Sequence, residues 1–320
     1  MSIFTQLPEP LYLRQRPTVQ TVDTGFALDT ALAMAWASQL AYETNDPDKV
    51  QRVLASWGGT LRGFHVGRIS SVLPLTSAKG FIAAREGVSI LTFAGTEPSS
   101  LADWILDFSI HMNVDGVHDG FEKGVGVVWD TISRTLDADG PAAADKVLIT
   151  GHSLGGALAA VAALRLAKHH VVDLDRLLGV YTFGMPRTGN KIFTQEYRAV
   201  SNAGLADRTY RIVHGVDIVL QVPPSEAPFG FRHIGSMLAC AHGASFDSAN
   251  LVSDAHEQVP SDETALSGLL QGLLRKPPTA DLPAFPGDRL AALVIDSLPP
   301  SIRDHLMDRY LRALGSDFGG

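Results

Sequence analysis

The chain has 320 residues, 45% of them hydrophobic and 19% charged, a composition that excludes a disordered, collagen-like or coiled-coil protein. With 26 Lys and Arg against 34 Asp and Glu the formal charge is −8, so there is no basic footprint for a phosphate backbone and nucleic acid is not expected as a partner. The single cysteine, Cys240, forbids an intrachain disulfide and a multi-thiolate metal site, and reads as a small buried hydrophobe.

Residues 1–26 read as an extended lead-in. Pro8, Pro10 and Pro17 are spread through it, and no basic start runs into an apolar stretch. A secretory signal is therefore not expected, and the location expected on that ground is cytoplasmic, with export by another route left open. From Asp29 to Tyr42, Leu32, Trp36 and Leu40 recur at multiples of four, which predicts an amphipathic helix. Strand-like runs follow at Gly80–Ala84, Val88–Phe93, Lys146–Thr150, Val180–Phe183 and Tyr210–His214, several apolar throughout, as in strands covered on both faces. Helical patterns at Phe121–Leu136 and Ala157–Lys168 lie between them. The alternation predicts βαβ units and a mostly parallel central sheet with helices on both faces. The longest apolar stretch, Gly155–Leu164, stops at Arg165, short of the roughly 18 residues a membrane span needs.

Beyond Cys240 the composition shifts to Ser, Asp and Pro, and residues 240–299 read as an insertion on the core and a candidate cap. Within it Leu266, Leu269, Leu270, Leu273 and Leu274 share one face of a short helix over 262–276, which fits either packing into the core or a lid. A final helix is predicted over Ser301–Leu314, behind Pro299-Pro300.

The most informative string is KVLITGHSLGGALAAVAAL, residues 146–164, where G-x-S-x-G sits between an apolar strand and an alanine-rich helix. A sharp strand-to-helix turn needs Gly151 and Gly155 and leaves Ser153 at its apex. The unpaired N–H groups at the helix start favour an oxyanion at the same point. A serine hydroxyl needs a histidine base, which in turn needs a carboxylate to fix its tautomer. Asp217, just past the strand in TYRIVHGVDIVLQVPP, is the candidate acid. Four histidines follow it, His233, His242, His256 and His305, and spacing does not choose among them.

Several strings together resemble the class 3 lipase family, whose type members are fungal triacylglycerol lipases. They are ALAMAWASQLAYE, LTFAGTEPSSLADWILDF, VHDGFEKG, the Ser153 turn, YTFGMPRTGN, RIVHGVDIVLQVPP, FRHIG and DHLMDRYLRAL, in the family's order. The resemblance covers residues 30–235 and 300–314. It implies a single α/β-hydrolase domain over 1–320, with Ser153 as nucleophile, Asp217 as acid and His305, in the terminal D-H-x-x-x-x-Y segment, as base. His233 then falls on a recurrent non-catalytic histidine. The resemblance also implies that the N–H groups of Thr96 and Leu154 form the oxyanion hole. Leu101, Trp104, Ile105, Phe108 and Met112 share one helical face at the position of the fungal lid, as lid or as ordinary core. The usual proline after D-I-V is Leu220 here.

The activity so implied is hydrolysis of acylglycerols or related acyl esters through an acyl-enzyme. The substrate is an acyl ester or lipid, met with or without transient contact with a lipid surface. No cofactor or metal is expected. Alternatives are a phospholipase, a polyester depolymerase or a catalytically silent ligand-binding member.

Overall fold

The computed structural model describes residues 6–21, 24–69, 77–96, 111–137, 140–142, 145–200, 204–253 and 299–316. Among the described residues eight strands form one sheet whose spatial order follows the chain: β1 (Thr60–Arg68), β2 (Ser77–Arg85), β3 (Val88–Phe93), β4 (Lys146–His152), β5 (Leu177–Phe183), β6 (Thr209–His214), β7 (Ser236–Cys240) and β8 (Leu251–Val252). The first three pair antiparallel, β3 to β7 run parallel, and β8 returns antiparallel on the edge.

The centre of the sheet is apolar on both faces because both are covered. In β4, Val147 and Ile149 join one hydrophobic cluster and Leu148 joins the other. The first cluster holds the helices Leu154–Lys168, Asp119–Gly126, Trp129–Leu136 and Lys191–Ala199. The second holds the helices Leu28–Leu40, Pro47–Ser56 and Met307–Ala313. Helices on both faces of a mostly parallel sheet make this an α/β-hydrolase fold.

Several local expectations are revised. The helix Leu28–Leu40 is not amphipathic: Ala31, Ala33, Met34, Ala35, Trp36 and Ala37 are all buried, and small alanines let sheet and neighbours close on every side. The predicted helix Phe121–Leu136 is two helices, Asp119–Gly126 and Trp129–Leu136, parted after Gly126, a residue that weakens a helix interior. The 1–26 stretch contains a helix, Glu9–Leu13, whose Tyr12 is wholly buried against Trp36 and Trp57. Cys240 is half-buried rather than enclosed. The segment Ser301–Leu314 is also broken, into Pro300–Arg303 and Met307–Ala313, so His305 lies in the turn between two short helices and not at the start of one. Most of the insertion, including 262–276 and His256, lies outside the described residues, as do residues 101–110 of the candidate lid. No helix among the described residues is long and apolar enough to cross a membrane.

Candidate active site

Three segments meet beyond the C-terminal ends of β4 and β6. The first is the turn between β4 and the helix Leu154–Lys168. Ser153 sits there with φ +57° and ψ −130°, a left-handed conformation that a residue with a Cβ rarely adopts. The chain can reverse this sharply because its glycines let backbones touch. A Cβ on Gly151 would strike the backbone of Gly155 and Gly156, and one on Gly155 would strike Phe93 and Ala94 at the end of β3. The turn is fastened by Ser153 N–H donating to the Phe183 carbonyl at 2.8 Å and Gly156 N–H donating to the Ser153 carbonyl at 2.9 Å. The Ser153 hydroxyl is fully buried and has no hydrogen-bond partner among the described residues. An unpartnered buried hydroxyl costs stability, and its persistence on a strained turn is characteristic of a reactive site.

The second segment follows β6. Asp217 caps a short 3₁₀ turn, Ile218–Gln221, its Oδ1 accepting from Val219 N–H at 2.9 Å. The third is the turn carrying His305, whose Nδ1 donates to Asp217 at 3.0 Å from Oδ1 and 2.9 Å from Oδ2. Tyr310 adds a hydroxyl bond to Oδ2 at 2.6 Å. Both Asp217 and His305 are buried. Burial alone would raise the Asp217 carboxyl. The facing His305 charge, with bonds from His305, Tyr310 and Val219 N–H, outweighs it and holds the group below the usual carboxylate range. Gly184, at φ +55°, leaves the room for this contact, since a Cβ there would crowd both Asp217 and the His305 ring.

His152, next to Ser153 in the chain, ties the nucleophile turn to the histidine segment. Its Nε2 donates to the His305 carbonyl at 2.7 Å, so its Nδ1 is the acceptor for Tyr42 hydroxyl, also at 2.7 Å. The His152 and His305 rings lie 4.6 Å apart with planes 30° from parallel. Burial, reinforced by the neighbouring His305 charge, pushes His152 down to about 3, so it stays neutral across ordinary pH.

The structure brings Ser153, Asp217 and His305 to one place and leaves His233 out. His233 is buried elsewhere, its Nε2 donating to the Leu220 carbonyl at 3.0 Å. Burial, then the Arg211 and Arg187 cations, hold it well below the ordinary histidine range. His242 bonds Asp304 instead. Leu154 opens the helix behind Ser153, and Thr96 leaves β3 immediately after Gly95, where an added Cβ would lie 3.0 Å from Ser153 Cβ. Tyr310, His152, Tyr42 and Gly184 went unassigned in the sequence. All four stand inside the strings that carry the resemblance, but nothing in one sequence says what they touch.

A buried serine on a left-handed turn, tied through His152 to a segment whose histidine is fixed by a carboxylate, has the residue types of a serine hydrolase on an α/β-hydrolase sheet. Comparison with known proteins narrows this class. Residues 90–227 match the family model for lipase (class 3). The triacylglycerol lipase OBL1 of Arabidopsis thaliana is 30% identical over 190 residues, 47% of this chain and 36% of that protein. A lipase of Rhizopus niveus is 33% identical over 171 residues, 50% of this chain and 41% of that protein. Among solved structures, one described as a triacylglycerol lipase whose catalytic centre is a serine protease triad superposes with a TM-score of 0.56. It is 28% identical, over 75% of this chain and 89% of that one. Over residues 90–227 the chain is thus similar to the class 3 lipases. It spans less than half the length of the two curated relatives.

Proposed function

We propose that the chain hydrolyses carboxylic esters, with acylglycerols as the substrate class, through an acyl-enzyme on Ser153. The observation that carries the reading is His305 Nδ1 bonded to the buried, ionised Asp217, behind a serine held on a strained turn. The names of the relatives support the acylglycerol class.

With Nδ1–H given to Asp217, the His305 Nε2 carries the lone pair. It takes the hydroxyl proton as Ser153 Oγ attacks the ester carbonyl carbon. The carbonyl oxygen becomes an oxyanion, which accepts from the N–H groups of Leu154 and Thr96; losing one such donor typically costs about 10²–10³ in turnover. The imidazolium then protonates the leaving alkoxide, the alcohol departs, and the acyl group stays on Ser153. Water, deprotonated by the same Nε2, attacks the acyl carbon, and the carboxylic acid leaves as Ser153 regains its proton. Asp217 remains ionised throughout and steadies the imidazolium. The neutral His152 holds the His305 backbone without competing for the proton.

The test is active-site labelling. A fluorophosphonate should label the folded protein once per chain and the Ser153→Ala variant not at all. Hydrolysis of acylglycerols should exceed that of phospholipid and polyhydroxyalkanoate. Folded protein that takes no label overturns the reading.

A further inference from the structure

A second carboxylate lies directly behind the first. Asp304, the residue before His305, is wholly buried. Its Oδ2 accepts from Val216 N–H at 3.0 Å, which pins the turn immediately ahead of Asp217. Gly215, at φ +55°, lets the carboxylate in: a Cβ there would run into its oxygens. Its Oδ1 accepts from His242 Nδ1 at 2.6 Å, and His214 Nδ1 lies 3.5 Å from the same oxygen. His242 is half exposed, whereas His214 is buried. One carboxylate therefore joins the ends of β6 and β7 to the segment that carries His305.

We propose that Asp304 is a positioning residue for His305, and that His242 is the surface group that tempers its charge; this rests on the ester-hydrolase reading above. The clamp works mechanically by fixing the Gly215–Asp217 turn against the His305 turn. It works electrically because Asp304 precedes the base in the chain, and a carboxylate on that segment favours the imidazolium form. The titratable groups facing Asp304 are His214 from β6, Cys240 from β7 and His242 from the loop after it; Asp217 and His305 lie on the two turns that it joins. Two of them register its field. Burial, then the Asp304 charge, pushes the Cys240 thiol up to about 12. In His214, burial lowers the imidazole and the Asp304 charge opposes the fall.

The experiment is the pH profile of kcat/KM, whose acid limb reports the base in the free enzyme. Asp304→Asn keeps an oxygen for Val216 N–H but removes the charge, so the acid limb should move down by roughly half a pH unit or more. His242→Gln removes the imidazole bonded to Asp304 Oδ1, so the limb should move up by a few tenths of a unit. The double variant should lie close to Asp304→Asn, since the bond of His242 to this segment is the one to Asp304 Oδ1. A clamp with a purely structural role would lower stability without moving the limb in opposite directions. A wild-type limb in folded Asp304→Asn overturns the inference. Should that variant not fold, the half-exposed His242→Gln decides, and a wild-type limb there overturns it. Fluorophosphonate labelling of the wild type separates the two readings. An unlabelled, inert wild type refutes the ester-hydrolase reading, whereas a labelled wild type with unmoved variants refutes only the role of Asp304.

Discussion

Acid should unfold this protein through its buried neutral histidines, well before its carboxylates titrate. Burial lowers His152 to about 3 and His65 to about 4, the latter despite the bond from its Nε2 to the Thr92 carbonyl at 2.8 Å. An unfolded chain binds a proton at each histidine near pH 6.5, while the folded chain refuses it until far lower pH. Stability is therefore complete above about pH 6.5 and falls below it, by about 1.4 kcal/mol per pH unit for each histidine. At pH 5 that is about 2 kcal/mol each and about 4 kcal/mol for the pair, a large share of a typical total of about 5–15 kcal/mol. Asp217 does not offset this loss. Its folded carboxyl is lowered, so its contribution is present above the ordinary carboxylate range and disappears only at more acid pH. The assay is urea unfolding at pH 7 and pH 5, for wild type and His65→Gln. The glutamine amide can still donate to Thr92, so the variant should lose about 2 kcal/mol less between the two pH values. Equal stability at both pH values, or an identical loss in the variant, refutes the reasoning.

Three further outcomes are expected. Tyr310→Phe removes a hydroxyl donor from an ionised buried carboxylate while keeping the ring, and should cost about 1.5–3 kcal/mol at pH 7 by urea unfolding. That penalty should shrink only below the lowered range of Asp217. Ser153→Gly should abolish ester hydrolysis yet raise unfolding stability by about 1 kcal/mol, because glycine adopts the left-handed turn without strain. His305→Ala should lose several orders of magnitude in turnover with the fold intact by circular dichroism, whereas His233→Ala should chiefly lower the melting temperature.

Legibility in the sequence followed from how local each signal is. Ser153 and Asp217 stand beside continuous apolar strands, β4 and β6, whose burial on both faces writes itself as an unbroken hydrophobic run. His305 comes from 88 residues beyond its carboxylate, and only a resemblance singled it out from His233, which is as buried but bonds a carbonyl. Strand β1 escaped notice because it lies at the sheet edge, where Arg62, His65 and Arg68 interrupt the apolar run and a bulge at Leu61/Gly63 breaks the alternation. The two-residue β8 is too short to carry any period. The break at Gly126 falls at a glycine inside an otherwise continuous apolar pattern, and the one around His305 accompanies the bonds that hold Asp304, which periodicity does not show.

The sequential order of the strands has a consequence for biosynthesis. A ribosome delivers the serine turn with β4, then β5 and the carboxylate after β6, but the imidazole arrives 152 residues after the serine. Under the proposed chemistry a nascent chain is inert until the segment carrying His305 has emerged. A product cut short before Pro299 lacks both His305 and the carbonyl that His152 grips, so its serine has nothing to activate it. On that proposal, ester substrate is spared until the segment carrying His305 has docked.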